Sequence, residues 1–174
     1  MKQLSHSSMR HTYKVFLIAL GASIAYLLVY LFVHILKDKY LIALDTTGST
    51  QQKAFVVKKE NPADLTINNQ EFIAFRFKHE NDPYYEQGHN FIKRVACKEG
   101  DILSVDKRSF YCNGEYIGFG KEHDSQNKPV DIFSFEGVIP KDQYFVMGDA
   151  VMHSYDSRYW GFVDKNQIIG KAIW

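Results

Sequence analysis

A chain of 174 residues is about the length of one domain. Its formal net charge is only +1, which argues against a nucleic-acid partner recognised through bulk electrostatics. Aromatic residues make up 15% of the chain, and flat side chains pack well on pleated sheets, so a β-rich fold is favoured.

An uncharged, apolar run at residues 15–36 follows a polar, basic tail at residues 1–14. As a helix with about 1.5 Å rise per residue, this run would reach about 33 Å, enough to cross a hydrocarbon core of about 30 Å. The run is longer than the apolar core of a cleaved signal peptide, and it has no small-x-small exit site. We therefore predict a retained single-pass transmembrane anchor rather than a buried core helix.

Basic residues flank this run on both sides: Lys2, Arg10 and Lys14 precede it, and Lys37 and Lys39 follow it. The positive-inside rule counts such residues near the membrane. The slight excess before the run therefore gives only a weak preference for a cytoplasmic N-terminus.

Residues 37–174 form one predicted domain that consists mostly of strands. The pair Asn113-Gly114 is a strong hairpin signal because both residues tolerate positive φ. Short apolar or alternating patterns predict strands at residues 54–58, 71–78, 90–98, 101–105, 109–112, 143–147 and 167–173. No segment after residue 40 has convincing helical periodicity, so we expect an irregular all-β domain behind one transmembrane helix.

Two cysteines, Cys97 and Cys112, follow the apolar run. In an exported domain an even count permits a disulfide, and these two lie on predicted strands that could be neighbours. In the cytosol they would be two unreactive free thiols. They lack the four-ligand spacing of a zinc site, so no metal is expected.

Two residues have a chemistry that depends on their surroundings. Ser49 lies just beyond the apolar run, and taken alone it is most simply a loop serine. Lys93 lies within an apolar strand pattern, where a lysine must either extend to water or lose its charge. A neutral lysine can take a proton from a serine hydroxyl if its pKa falls from ~10.4 to roughly 7–8. Taken alone, however, Lys93 is most simply an edge-strand lysine.

The segment at residues 144–161 is dense in polar residues and glycine, and by itself it could be a loop with a surface ion pair. Together with the two regions above, it resembles the signal peptidase I family. The matching motifs are Gly148-Asp149 with Ser154-x-Asp156-Ser157-Arg158-x-Trp160-Gly161, and Lys93-Arg94-Val95 followed by Glu99-Gly100-Asp101 and Asn113-Gly114. The resemblance covers nearly the whole chain after residue 14, in the family's order.

Within that superfamily, the serine region is most similar to the conjugative-transfer (TraF-like) peptidases. Their serine lies in a Thr-x-Ser-x-Pro-x-Gly-x-Tyr pattern. Thr47 and Ser49 match this pattern, and Phe55 stands for its tyrosine. Gln51 and Lys53 stand where the pattern has proline and glycine.

The resemblance implies a serine endopeptidase with a Ser–Lys dyad and no cofactor. Ser49 would be the nucleophile and neutral Lys93 the general base. Thr47 and the backbone N–H of Ser49 would hold the oxyanion. Ser154 would hydrogen-bond Lys93, and three further residues would support the site: Asp149, which orders it, and the structural ion pair Asp156–Arg158.

A Ser–Lys mechanism needs no histidine. Four histidines after the apolar run are therefore expected to be surface or structural residues: His79, His89, His123 and His153.

The resemblance also implies a fold and a location. The fold would be an irregular, partly open β-barrel or sandwich of the kind shared with self-cleaving LexA-like repressors. The enzyme would be a single-pass protein of the bacterial inner membrane, with its catalytic domain in the periplasm. Its partners would be the lipid bilayer and a membrane-associated precursor, such as a pilin or an exported preprotein, bound as an added strand.

Three alternatives remain open on the sequence. The first is a general type I signal peptidase that serves many exported proteins. The second is a catalytically inactive, anchored binding module. The third is a cytosolic self-cleaving repressor, against which the apolar run and the lack of a DNA-binding helix pair both argue. Whether the product is hydrolysed or cyclised also stays open.

Overall fold

The structure is a computed structural model that describes residues 6–80, 82–150 and 152–174. The described chain divides into the helix α1 (His6–Lys39) and a second compact unit, Tyr40–Trp174. Each unit is considered by itself below.

Helix α1 extends beyond the predicted span at both ends. Its segment Met9–Lys39 is long and apolar enough to cross a membrane, with a mean hydropathy of 2.4 in its most apolar window. None of that window is buried against the rest of the chain. Length and composition thus make this helix a candidate membrane span.

The described residues of the second unit form eleven strands and one short α-helix. In chain order these are β1 (Tyr40–Leu44), β2 (Ala54–Lys59), β3 (Phe72–Arg76), β4 (Asn90–Cys97), β5 (Ile102–Asp106), β6 (Ser109–Cys112), β7 (Glu115–Phe119), β8 (Gly137–Val138), β9 (Gln143–Met147), α2 (Ser157–Trp160), β10 (Val163–Asp164) and β11 (Ile168–Ala172). The predicted hairpin at Asn113-Gly114 is confirmed: both residues have positive φ, and Cys112 pairs with Glu115 across the turn.

Two antiparallel sheets make up this unit. The larger sheet has the strand order β1-β2-β11-β3-β4-β9-β10, and the smaller has the order β7-β6-β5-β8. Neither sheet closes on itself among the described residues. The expected mainly β, irregular and partly open architecture behind an apolar N-terminal helix is therefore confirmed.

The alternation of side chains along β9 shows how the two sheets share a core. Tyr144 and Val146 point into one buried cluster with Phe75 and Val95. Phe145 and Met147, which alternate with them, face a second buried cluster that also contains residues of the smaller sheet. That cluster consists of Ala96, Cys97, Leu103, Phe110, Cys112, Ile139, Phe145 and Met147. The period of two in a strand thus lets β9 serve two cores at once.

A disulfide joins the two sheets within the second cluster. Cys97 at the end of β4 is bonded to Cys112 at the end of β6, with their Cα atoms 5.7 Å apart. A third, smaller cluster lies under β1 and β2 and contains Phe55, Val57, Ala74 and Ile92. This cluster supports the hairpin that carries Ser49.

Candidate active site

The loop that carries Ser49 connects β1 to β2 and is held by the carboxylate of Asp45. One oxygen of Asp45 accepts hydrogen bonds from the backbone N–H and the hydroxyl of Thr47, at 3.0 and 2.8 Å. The other accepts from the N–H and the hydroxyl of Thr50, at 2.7 and 2.8 Å. The Asp45 N–H in turn donates to the carbonyl of Lys53 at 2.9 Å, which closes the loop around Ser49.

These bonds favour the charged form of Asp45. Partial burial opposes ionisation, but the hydrogen bonds from Thr50 and Thr47 outweigh it and hold the pKa of Asp45 below its ordinary value. Asp45 therefore remains a carboxylate at neutral pH.

Lys93 comes from the middle of β4, opposite Ile73 of β3. Its Nζ lies 2.7 Å from the Oγ of Ser49, which is hydrogen-bond distance. Both residues are only 3% exposed. The ring of Phe91, two residues earlier on the same face of the strand, lies 5.7 Å from the lysine nitrogen.

Burial is the largest influence on Lys93, and it lowers the pKa of the ammonium group. The carboxylates of Asp156, Asp45 and Asp149 oppose this shift by favouring the charge, and Arg158 adds to it. The net effect lowers the pKa of Lys93 from its ordinary value. The amine can therefore be neutral at a lower pH than in a free lysine.

A glycine brings the loop after β9 against the serine loop. The N–H of Ala150 donates to the carbonyl of Ser49 at 3.0 Å. A Cβ at Gly148 would lie 2.6 Å from that same carbonyl oxygen and would also meet the side chain of Ser154. A side chain at position 148 would push the two loops apart.

Asp156 and Arg158 form an ion pair in which both side chains are fully buried. Two nitrogens of the guanidinium each donate to a carboxylate oxygen at 2.7 Å. The carboxylate also accepts from the N–H of Gly148 at 2.9 Å, and Arg158 donates to the carbonyl of Phe119 at 2.7 Å. The pair therefore joins the start of α2 to the segment beside the serine, and it is not at the surface.

Asp149 accepts a hydrogen bond from Arg94 at 2.7 Å. Arg94 follows Lys93 on β4 and also donates to the side chain of Gln70. Asp149 thereby connects the loop after β9 to the strand that carries the lysine.

Two expected hydrogen bonds differ from what the resemblance implies. The hydroxyl of Thr47 is exposed and donates its proton to Asp45, so it must rotate before it can donate to an oxyanion. The Oγ of Ser154 is buried and has no hydrogen-bond partner among the described residues. The bond from Ser154 to Lys93 is therefore not made in this structure.

The four histidines differ in their surroundings. His79 is half-buried against the rings of Phe77 and Trp160, at 5.0 and 5.2 Å between ring centroids. Burial lowers the pKa of His79 and outweighs the opposing charges of Asp82 and Asp164. The other three are exposed: His89, His123 and His153.

The described residues contain one close cluster of potential metal-ligating atoms, from Cys97, Asp101 and Cys112. The two sulfurs are bonded to each other in the disulfide. Neither is a thiolate, so the cluster does not offer the donors of a metal site.

A groove of about 300 Å³ opens beside the dyad. Leu41 and Ala43 of β1 form one wall, and Phe91 and Ile92 of β4 form another. Asp45, Thr47, Ser49 and Lys93 lie along the same groove. It is mainly apolar with the reactive pair within it, as suits binding of a peptide segment.

Sequence reasoning assigned no role to Asp45 or Arg94, which hold the two halves of this site. The spacing of Asp45 before two threonines, with hydroxyls two and five residues later, was the available signal. Asp and Thr side chains at such spacings often bond nearby backbone groups in loops. Arg94 belongs to the Lys93-Arg94-Val95 motif, but its contact with Asp149 had no comparable signal, because the two residues are distant in the sequence.

Comparison with known proteins identifies the family. The family model described as "Signal peptidase, peptidase S26" matches residues 9–174. A probable signal peptidase I-2 of Synechocystis is 37% identical over 84 residues, covering 48% of this chain and 36% of that protein. The signal peptidase I of Haemophilus influenzae is 58% identical over 41 residues, covering 22% of this chain and 12% of that protein.

The chain is also similar to two further proteins. Signal peptidase IB of Staphylococcus aureus is 30% identical over 97 residues, which cover 48% of this chain and 51% of that protein. The crystal structure of a signal peptidase I from Enterococcus faecalis V583 is 25% identical, with a TM-score of 0.40, and the match covers 62% of this chain and 97% of that one. The chain thus spans about half or less of the length of these curated relatives. Because the family description covers almost all of its residues, the chain belongs to the signal peptidase family, peptidase S26.

Proposed function

We propose that this chain is a membrane-anchored serine endopeptidase that uses Ser49 as nucleophile and Lys93 as general base. The observation that carries the proposal is the buried contact of 2.7 Å between Lys93 Nζ and Ser49 Oγ. A lysine with a lowered pKa can accept the hydroxyl proton across that distance. Membership of the signal peptidase family supports the same reaction.

The reaction would have two halves. The Ser49 Oγ attacks the scissile carbonyl carbon while its proton passes to Lys93. The tetrahedral oxyanion is held by the Ser49 N–H and, after rotation, by Thr47. The C–N bond then breaks, the leaving amine takes the proton from Lys93, and an acyl ester remains on Ser49.

In the second half, a water molecule attacks the ester and gives its proton to Lys93. The acid product leaves, and Ser49 regains its proton. If an amine from the same substrate chain attacked instead of water, the product would be cyclic. The dyad chemistry is the same in both cases.

Four other residues would have supporting roles. Asp149 holds the strand of Lys93 through Arg94, and the pair Asp156–Arg158 fixes the segment that meets the Ser49 carbonyl. Ser154 lies beside Gly148, and its buried hydroxyl, which has no partner among the described residues, would hydrogen-bond Lys93.

The anchor would confine the enzyme to the membrane surface. We propose residues 1–14 as a cytoplasmic tail, 15–36 as the membrane-spanning part of α1, and 37–174 as the catalytic domain in the periplasm. The apolar composition of Met9–Lys39 supports the anchor. A C-terminal reporter that is active only in the cytoplasm should be inactive on this chain; an active reporter would reverse the orientation.

The substrate would be a membrane-associated precursor bound in the groove along β1 and β4. We propose a conjugative pilin or similar transfer precursor, because Thr47, Ser49 and Phe55 match the TraF-like pattern. A general signal peptidase is the second candidate, and it is favoured by the similarity to signal peptidases I of other bacteria. Mass spectrometry of a co-encoded pilin and of bulk exported proteins, with and without this chain, would separate the two.

The test of the dyad uses the full chain in bacterial membranes. Ser49→Ala and Lys93→Ala should each reduce precursor processing by several orders of magnitude, and the double variant should be little worse than either. The matched controls are Ser134→Ala and Lys141→Ala, which change exposed residues outside the groove. Processing at the wild-type rate by either dyad variant would refute the assignment, and failure of an active-site serine probe to label the wild type more than Ser49→Ala would favour an anchored binding module.

A further inference from the structure

A second cavity of about 260 Å³ lies next to the dyad groove. Thr47 and Tyr85 line both spaces, and Ser154 also lines the second. A peptide that occupied the groove and passed Ser49 would therefore meet this cavity next.

The wall of this cavity contains a column of tyrosine rings. Tyr155 is stacked between Tyr85 and Tyr159, at 5.9 and 5.4 Å between ring centroids. The ring of Tyr84 meets Tyr155 edge-on at 4.8 Å. Together these four residues line a space with room for one large flat side chain, about the volume of nine water molecules.

Ser154 Oγ has no partner among the described residues, but the polar atoms of the tyrosine wall are engaged within the protein. The hydroxyl of Tyr84 donates to Asp124 at 2.8 Å, and that of Tyr155 donates to Asp82 at 2.7 Å. Lys121 donates its N–H to the Tyr159 hydroxyl at 3.1 Å and its Nζ to the Met152 carbonyl at 2.8 Å. What remains for a ligand is mainly the surface of the rings, which favours an uncharged aromatic or large apolar group.

The bonded carboxylates also disfavour some ligands. Asp124 lines the cavity and Asp82 accepts from the Tyr155 hydroxyl, and both carboxylates would repel an acidic side chain. Burial, followed by the bond to Asp82, raises the pKa of Tyr155, so its hydroxyl stays a neutral donor. The wall therefore keeps this arrangement throughout the pH range in which the enzyme would work.

We propose that the cavity formed by Tyr84, Tyr85, Tyr155 and Tyr159 binds an aromatic or large apolar substrate side chain on the leaving-amine side of the scissile bond. This inference rests on the proposed function and on the groove along β1 and β4 taking the residues before the bond. The groove and the cavity meet at Thr47, beside the nucleophile. The tyrosine pocket would thus add a requirement for the substrate sequence after the cleavage point.

The experiment uses the full chain in detergent micelles and internally quenched peptides with a small-x-small sequence before the bond. The first or second residue after the bond is Phe, Leu, Ala, Lys or Glu. We expect kcat/KM to be about tenfold higher for Phe or Leu than for Ala at one of these two positions, with no gain for Lys or Glu.

Substitution of the pocket should remove this preference. In Tyr155→Ala the ratio of kcat/KM for the Phe and Ala peptides should fall to near one, whereas Tyr155→Phe should keep it, because the ring remains. Tyr84→Ala, in a different loop, should also lower the ratio and serves if Tyr155→Ala does not fold. Tyr116→Ala, an exposed tyrosine of β7 away from both cavities, should leave the ratio unchanged.

A measurement of peptide binding tests the pocket independently of catalysis. In the Ser49→Ala chain, the Phe peptide should bind about tenfold more tightly than the Ala peptide, and Tyr155→Ala should remove the difference. If the wild type cleaves no peptide, yet the Phe peptide still binds more tightly than the Ala peptide, the proposed function fails and the pocket is supported. A preference unaffected by Tyr155→Ala and Tyr84→Ala, a preference for a charged residue, or one confined to positions before the bond would overturn the pocket.

Discussion

The surroundings of Lys93 disfavour the charged form of its side chain, and this determines how activity should depend on pH. Burial lowers the pKa of the ammonium, and only the neutral amine can accept the Ser49 proton. Activity should therefore rise as the pH increases through that lowered pKa, with a midpoint below the ordinary lysine value of 10.5. The measurement is kcat/KM against pH. Lys93→Arg should be inactive at every pH, because guanidinium stays charged; an active Lys93→Arg enzyme would exclude lysine as the base.

The same pH profile tests the contribution of Asp45. Its negative charge raises the pKa of Lys93, so Asp45→Asn should move the acidic limb to lower pH while the loosened loop lowers the maximal rate. Asp106→Asn, at an exposed position at the end of β5, is the matched control and should move neither. An unshifted limb in Asp45→Asn would show that the carboxylate acts on the loop alone.

At this scale, the sequence identified the residue types but not all of their contacts. Ser49 and Lys93 could be proposed from their motifs, and the structure brings their reactive atoms together. The bond from Thr47 to Asp45 had a spacing signal, but that signal alone does not determine the bond, because both residues also suit other loop conformations. Loop closure depends on the hairpin below it, which sequence spacing does not describe.

The short helix α2 depends on buried charge more than on helix propensity. Four residues are too few for a stable isolated helix. Asp156 caps its start by accepting from the N–H of Arg158, and the side chain of Arg158 neutralises that carboxylate. Ser157 adds a hydrogen bond from the N–H of Val146 at 2.9 Å, which attaches α2 to β9.

Removing Arg158 should therefore destabilise the domain strongly. Arg158→Met leaves the Asp156 carboxylate buried and unpaired, which costs about 3–5 kcal/mol of the free energy of unfolding. Adding Asp156→Asn should recover part of this loss, since the amide oxygen can still accept from Gly148. Urea unfolding followed by tryptophan fluorescence measures both.

The control for this prediction is an ion pair at the surface. Lys58→Met removes an exposed partner of Glu60 and should change the free energy of unfolding little. Equal losses of unfolding free energy in Lys58→Met and Arg158→Met would contradict the larger loss predicted for the buried pair.

The elements differ in how far the sequence predicted them. Strands β2, β4, β6 and β9 were predicted within one or two residues, because their short apolar runs end in turn residues. Strand β1 was overlooked because only the charged residues Lys37-Asp38-Lys39, with no turn signal, separate it from the apolar run of α1. Helix α2 was overlooked because its stabilising contacts are distant in the sequence or buried.

The disulfide between Cys97 and Cys112 links the two sheets of the β unit. With a sequence separation of 15, the chain-entropy model assigns such a bond about 3 kcal/mol. The double variant Cys97→Ser/Cys112→Ser should lower the free energy of unfolding by about this amount, measured by urea titration. Dithiothreitol should destabilise the wild type but not the double variant. Equal stability of the two proteins without reductant would mean that the bond is absent or makes no net contribution.

Strand order also determines when the two reactive groups can meet during synthesis. Ser49 lies on the hairpin of β1 and β2, and Lys93 lies on β4; in the sheet, β11 stands between β2 and β3. The strand that joins the serine half to the lysine half is thus the one that follows all the others along the chain. A nascent chain that has not yet reached residues 168–172 holds both groups but cannot hold them together through this sheet. The contact between Ser49 and Lys93 therefore depends on the last strand of this sheet to be synthesised.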